Sequence, residues 1–233
     1  MQIKNLCKSY GQTVVLDNFS LSLEENTITC LTGESGCGKT TLLNLIAGLS
    51  KPDSGAIEYE GKVSYLFQEP RLLPWKTVLE NVQIALNEEK KAREILQLVG
   101  LEDSLDKYPS ELSGGMSQRV AMARAFAFPS DVLLMDEPFQ NLDIKLKNNL
   151  LQQFIKLWEQ NPKTVLWVTH DITEACLAAD RILCVAKGPA KSQAKAPMHI
   201  VDSYEIKIAR SKRTVESTSP LQAKIYNTII RHK

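Results

Sequence analysis

Gly33-Glu34-Ser35-Gly36-Cys37-Gly38-Lys39-Thr40 fits the phosphate-binding pattern G-x-x-x-x-G-K-[ST] at every position, and no other stretch constrains this chain as tightly. The pattern has meaning only between a strand and a helix, and its flanks supply both. Thr27-Ile28-Thr29-Cys30-Leu31-Thr32 is a β-branched and apolar run, and Lys39 to Leu49, rich in Leu, Ile and Ala, reads as a helix. Glycines let the backbone curl so that successive N–H groups point at phosphate oxygens, while the helix N-terminus adds partial positive charge. In that geometry Lys39 reaches β- and γ-phosphates and the Thr40 hydroxyl ligates Mg2+.

The rest of the chain alternates in the way such a loop requires. Short β-type runs recur at 3–7, 14–23, 27–31, 56–59 and 63–67, and return at 132–135, 164–169 and 182–185. Between them, from about Trp75 to Phe128, helical patterns dominate. One helix places Ala92, Ile95, Leu96 and Val99 on one face and stops at Gly100; another, from about Ser117 to Phe128, is packed with alanine and ends at Pro129. A long helical stretch covers Asp143–Gln160. The order predicts an α/β fold, a parallel-sheet core with an inserted helical subdomain of about fifty residues. Past Gly188 the pattern weakens to a loop. Ser219-Pro220-Leu221-Gln222 then reads as a capping box opening a last helix, whose Leu221, Ile225 and Ile229 dock on the core.

Bulk properties narrow the partners. Lys+Arg at 28 nearly cancels Asp+Glu at 27, so there is no global field to draw nucleic acid or an anionic membrane. The basic run Lys191, Lys195, Lys207, Arg210, Lys212 and Arg213 is expected to be a solvated surface. Five cysteines without a C-x-x-C pair fit a reducing compartment, and Cys37, inside the phosphate loop, is either a passive small residue or a thiol whose alkylation blocks nucleotide. Met1-Gln2-Ile3-Lys4 opens directly on a strand pattern without a signal peptide, and no apolar stretch is long enough to span a bilayer, so a soluble cytoplasmic chain is expected.

Three further places hold chemistry. Val132-Leu133-Leu134-Met135-Asp136-Glu137 is a buried-strand run ending in two acids at the end where α/β ligands bind. Asp136 is suited to hold Mg2+ and Glu137 to orient or deprotonate a water. His170 ends another such run, Val165 to Thr169, and is open to either a structural or a charge-stabilising role. Leu112-Ser113-Gly114-Gly115 opens the alanine-rich helix, and two readings stand: a plain N-cap with a glycine turn, or a second anion site. One nucleotide does not need two phosphate devices on one face, so the second reading assigns Ser113 to a nucleotide held by another copy of the chain.

Taken in order, the phosphate loop, Gln68, Leu112-Ser113-Gly114-Gly115, Asp136-Glu137, Asn141-Leu142-Asp143 and His170 resemble the ATPase subunit of an ABC transporter over about residues 2 to 190. The resemblance implies a P-loop NTPase (RecA-like) core with an antiparallel β subdomain and an inserted α-helical subdomain. It implies one ABC ATPase domain over 1–233, with the insert at about 70–129 and a C-terminal extension from about 187 packed on the core. ATP and Mg2+ are the implied cofactors. Gly33, Glu34, Ser35, Gly36, Cys37, Gly38, Lys39, Thr40 and Thr41 would cradle phosphates, Tyr10 would stack on adenine, and Thr40, Gln68 and Asp136 would serve the metal. Glu137, His170, Lys39 and Gln68 would act in catalysis. Ser113, Gly114 and Gly115 would complete the nucleotide site of a second copy in a head-to-tail dimer, and Asp143 would couple the two sites.

Two departures stand out. Met116 occupies a position where Gln is commonest, and Gln140-Asn141 replaces a frequent Ser-Ala. A finer match, Leu66-Phe67-Gln68-Glu69-Pro70-Arg71-Leu72-Leu73-Pro74-Trp75 followed by Thr77-Val78-Leu79-Glu80-Asn81-Val82, is similar to the nitrate/sulfonate/taurine branch of importers, which includes carriers of thiamine-pyrimidine precursors. The link from Gly55 to Gln68 is shorter than in most sulfonate and taurine members, which favours a precursor or other small organic solute. The branch implies two membrane permease subunits, an external solute-binding protein, and a place on the cytoplasmic face of the inner membrane. Two rival P-loop classes fit less well. A soluble clamp on DNA or ribosomes has tandem ATPase units or a long coiled coil, and a small-molecule kinase leaves Ser113-Gly114-Gly115 unexplained.

Overall fold

One glycine closes the hairpin at the start of the chain. β1 (Gln2–Tyr10) and β2 (Thr13–Ser22) run antiparallel with Tyr10 opposite Thr13, and Gly11, at φ 58°, makes the tight turn between them. The computed structural model describes residues 1–86, 88–140, 142–188 and 197–232. Its chain divides into two units, Met1–Glu60 with Thr164–Lys233, and Gly61–Lys163.

In the first unit, β3 (Ile28–Gly33) is buried at all six positions and leads into α1 (Lys39–Ile46). β4 (Ser54–Glu58) pairs with β1, and Gly55 is required there: a Cβ would come within 2.3 Å of the Asn5 carbonyl oxygen. Further along, β7 (Thr164–Val168), α6 (Ile172–Ala178), β8 (Arg181–Lys187), β9 (Met198–Glu205) and α7 (Val215–Arg231) complete the unit. The strand order is β4-β1-β2-β9-β8-β3-β7. β3 is parallel to both β7 and β8, and β4-β1-β2 form an antiparallel wing beside this parallel core.

In the second unit, β5 (Val63–Leu66) pairs in parallel with β6 (Val132–Asp136). Among the described residues the α-helices α2 (Val78–Leu86), α3 (Glu89–Leu98), α4 (Gly114–Ala127) and α5 (Ile144–Gln160) accompany them. The expected stop at Gly100 is present at φ 67°. Asn81 is fully buried; its side chain bonds the amide of Leu73 and the carbonyls of Leu73, Lys76 and Thr77. Arg124 reaches the carbonyls of Pro70 and Arg71. The irregular segment between β5 and α2 is thereby held by hydrogen bonds rather than by regular structure.

Three sequence expectations change. The last helix begins at Val215, not at Pro220. Thr214 caps it, accepting from the Ser217 amide at 3.1 Å while Ser217 Oγ accepts from the Thr214 amide at 2.8 Å. Two cap signals lie five residues apart, and the earlier one wins because it buries Thr218, 1 % exposed; Pro220 is then carried inside the helix. Ile225 is buried and Leu221 and Ile229 half-buried, as the apolar stripe requires. β9 appears where the pattern had weakened. Arg210 and Arg213 are not solvated: Arg210 Nε donates to the Ala178 carbonyl at 2.8 Å and Arg213 to that of Ala179 at 2.5 Å, at the C-terminal end of α6. Arg210 also pairs with Asp180 at 2.7 Å. Lys191 and Lys195 lie outside the described residues.

Lys163 is a buried cation, 2 % exposed, whose ammonium donates to the Phe128 and Ser130 carbonyls and to Ser130 Oγ at 2.8 to 3.0 Å. Burial pushes its pKa down to about 8 from an ordinary 10.5. The unfolded chain therefore binds that proton more tightly, and the group's contribution to stability rises with pH across this window. In denaturant titrations, the stability of wild type relative to Lys163→Met is expected to increase by about 3 kcal/mol between pH 8 and 10.5. A constant difference would reject the assignment.

Candidate functional site

The phosphate loop is built around Lys39. Its side chain is 5 % exposed, and its ammonium donates to the carbonyls of Gly33 at 2.9 Å and Glu34 at 2.7 Å, so the lysine reaches back across the loop it closes. Close approach fixes the glycines. A Cβ on Gly33 would lie 2.0 Å from the Val185 carbonyl oxygen, and Gly38, at φ 119°, would press one against Val15 at 2.7 Å. Ser35, Gly36 and Thr40 are exposed along the loop and first turn of α1. Cys37 is 3 % exposed, and burial raises its thiol pKa against the opposing pull of Lys39. That favours the passive reading of Cys37 over the reactive one.

His170 follows β7, and the parallel pairing Leu31↔Val168 brings it to the same end of β3 and β7 as the phosphate loop. It is exposed, while its neighbour Thr169 is buried and donates from Oγ1 to Glu174 at 2.9 Å, and Asp171 caps α6. Tyr10, at the end of β1, is 51 % exposed with the Lys8 ammonium 5.3 Å from its ring.

The remaining candidates lie in the second unit. The register Leu66↔Met135 carries Gln68 and the Asp136-Glu137 pair to one end of β5 and β6. Tyr65 donates its hydroxyl to Asp136 at 3.3 Å; burial, then the carboxylate beside it, holds the phenol protonated. Glu137 adopts φ 47°, a left-handed conformation uncommon for a non-glycine residue and found at functional turns. Ser113 caps α4, its Oγ accepting from the Met116 amide at 3.3 Å. A Cβ on Gly114 would meet nothing within 4 Å, whereas one on Gly115 would strike Leu146 at 2.8 Å. Leu146 belongs to the first turn of α5, which Asp143 caps through the Leu146 amide at 3.0 Å, so Ser113-Gly114-Gly115 and Asp143 are packed as one local structure. Asn141 lies outside the described residues.

Sequence reasoning missed two partners of these residues. Gln68 Nε2 donates to Oε1 of Gln140. Gln118, 3 % exposed on α4, donates from Nε2 to the Pro138 carbonyl at 2.5 Å, tying the helix that Ser113 opens to the turn after Glu137. Neither shows a sequence signal, because both pair residues from distant elements.

The ABC transporter family profile matches residues 16–140, more than half of the chain. The chain belongs to the ABC transporter family. It is 41 % identical over 211 residues to the bicarbonate transport ATP-binding protein CmpD of Synechocystis sp., covering 81 % of this chain and 75 % of that protein. To the aliphatic sulfonates import ATP-binding protein SsuB of Zymomonas mobilis it is 41 % identical over 208 residues, 85 % of this chain and 87 % of that protein. The dimeric post-hydrolysis structure of the ATP-binding cassette MJ0796, bound to ADP and phosphate, superimposes with a TM-score of 0.72 at 31 % identity, covering 89 % of this chain and 99 % of that one. The fold is thus the α/β ATPase cassette of the family, and the protein is an ATPase.

The donor chemistry of Thr40, Gln68 and Asp136 fits Mg2+: a hydroxyl, an amide oxygen and a carboxylate are all hard oxygen ligands. Among the described residues no group of three or more His, Cys, Asp or Glu could hold a metal by itself.

Proposed function

We propose that this chain is the ATP-hydrolysing motor of an importer for a small solute. It works as a head-to-tail dimer beneath two permease subunits that are fed by an external solute-binding protein, and it takes ATP with Mg2+. The two phosphate devices in one chain support this reading most directly. The loop ending in Lys39 suffices for one triphosphate, and the α4 N-terminus at Ser113, open at Gly114, offers a second set of donors to a nucleotide on another copy. Domain-wise, 1–233 forms one ABC ATPase domain, with the helical insert at about 70–129 and an extension from about 187 docked on the core.

Roles follow from the chemistry of each group. Tyr10 offers an open ring face for adenine, and the amides of Gly33 to Thr41 with the Lys39 ammonium hold the phosphates. Thr40, Gln68 and Asp136 hold Mg2+, which supplies charge neutralisation at the γ-phosphate. Glu137 takes the proton of the attacking water and His170 donates to the γ-phosphate oxygens. Ser113, Gly114 and Gly115 donate to the γ-phosphate on the partner copy, and Asp143, packed against Gly115 through Leu146, couples the two sites. ATP drives closure only to the extent that it binds the closed dimer better than the open one, and hydrolysis removes that difference.

Closure reaches the permease through the segment that Asn81 and Arg124 hold, where Trp75 is 69 % exposed, and the adjoining α2, where Ile84 is 59 % exposed. The proposed place of the chain is peripheral, on the cytoplasmic face, with the permease providing the pathway; among the described residues no helix is long and apolar enough to cross a membrane. The cargo is of the sulfonate/taurine/nitrate class, to which the sulfonate and bicarbonate relatives lend support, or of the thiamine-pyrimidine-precursor class, and the short Gly55–Gln68 link favours a precursor or other small organic solute. An affinity-tagged chain purified from its native membranes in detergent is expected to retain an integral membrane protein whose solute uptake stops when Glu137 is changed to Gln. Co-purification with ribosomes or DNA, and no membrane protein, would overturn the importer reading.

A further inference from the structure

We infer that Gln140 is a positioning residue for the ATPase reaction: it holds the side-chain amide of Gln68 so that the oxygen, not the nitrogen, is offered to Mg2+. This rests on Gln68 being a metal ligand, as proposed above.

A glutamine amide has two faces of opposite use. Its oxygen has lone pairs for a hard cation, whereas its NH2 group offers only donors and repels one. Gln68 is exposed, on the loop after β5, where an unrestrained amide samples both orientations. Its Nε2 donates to Oε1 of Gln140, and while that bond is made Oε1 of Gln68 is the atom left to ligate.

The acceptor is itself held firmly. The Gln140 amide donates to the Glu137 carbonyl at 3.1 Å, closing the turn from 137 to 140. Phe139 is fully buried within that turn, and the Pro138 carbonyl accepts from Gln118 at 2.5 Å. Three anchors in four residues fix the Gln140 backbone, so its half-buried side chain reaches Gln68 from a rigid base. A serine or alanine at position 140 ends too near the backbone to supply this acceptor. The same turn bears Glu137, so the amide that serves the metal and the acid that serves the water share one support. This is the arrangement by which outer-sphere groups orient ligands, and losing such a partner costs about tenfold to a hundredfold in metal affinity or activity.

The test is calorimetric binding of the non-hydrolysable analogue AMP-PNP, with Mg2+ and with EDTA; the ratio of the two affinities is the metal-dependent gain. Gln140→Met keeps the length and removes the acceptor, and it is expected to lose about tenfold of the gain with EDTA binding unchanged. Gln140→Glu keeps an acceptor oxygen and retains the gain. The double variant Gln68→Leu/Gln140→Met loses no more than Gln68→Leu alone. A full gain in Gln140→Met overturns the inference, as does equal weakening with and without metal. If Gln140→Met fails to fold, Gln140→Ser, which also lacks the acceptor, is read by the same criteria. Gln68→Leu separates the two levels. If it keeps the gain, the metal role of Gln68 falls and this inference with it; if it loses the gain while Gln140→Met keeps it, only the role of Gln140 falls.

Discussion

Glu137→Gln is expected to bind ATP as tightly as the wild type and to hydrolyse it about a hundred- to ten-thousand-fold more slowly, the range that a positioned general base contributes. The substitution preserves shape but replaces a basic carboxylate with an amide, whose NH2 only donates and whose oxygen is too weakly basic to take a proton from water. It acts on an interaction made only in the transition state, so kcat falls while nucleotide affinity stands. The backbone at this residue is unusual, a left-handed conformation shared among the described non-glycine residues with Asn5, Asn18, Asn26 and Arg71. Glu137 sits at φ 47° immediately after the buried strand Val132–Asp136, with the turn behind it pinned by Phe139 and Gln118. That rigidity keeps the carboxylate placed without a conformational search. On the proposed mechanism hydrolysis reopens the closed pair, so the variant is expected to accumulate as an ATP-bound dimer. Single-turnover phosphate release and gel filtration with Mg-ATP measure the two effects. Unaltered turnover rejects the assigned role, and a monomer that holds ATP rejects the coupling of nucleotide to closure.

The parts of this site visible from sequence are those with local chemistry. Glycine spacing and a lysine announce the phosphate loop because the backbone itself does the binding. The acid pair is visible because four buried apolar residues precede it, and α5 because Asp143 is a capping residue before a helical pattern. What stayed hidden depends on non-local partners. β9 has one buried residue, Met198, among otherwise exposed or half-exposed ones, so its pairing with β8 and β2 makes it a strand. Arg210 and Arg213 look like solvated charge until the carbonyls ending α6 are placed beside them. Gln140 meets Gln68 across 72 residues of chain, a distance over which periodicity has nothing to say. Packing, not propensity, decided each of these.

Lys39→Ala is expected to weaken ATP binding about a hundredfold or more, since truncating one member of a buried, hydrogen-bonded charge pair costs about 2–5 kcal/mol. The ammonium bonds the Gly33 and Glu34 carbonyls at 2.9 and 2.7 Å, and its third donor faces only Cys37 Sγ at 3.9 Å, a weak acceptor that a phosphate oxygen outcompetes. The loop's own carbonyls thus fix the position of the charge, which keeps its reorganisation small. Lys39→Met, which keeps the stem, should bind as poorly as Lys39→Ala if charge is the cause; calorimetry decides, and unchanged affinity in either counts against the assignment. The same variant tests whether a site is shared between copies. Ser113→Arg keeps its own phosphate loop yet places a bulky cation where the partner's nucleotide must fit, so it should bind ATP and fail to turn it over. Mixed with Lys39→Ala, however, it forms heterodimers in which its intact loop faces the intact Ser113 of the other chain. Hydrolysis should then reappear in a mixture of two preparations that are each inactive. A site enclosed by one chain cannot be rebuilt from two broken copies, so the return of turnover requires that Ser113 act in trans.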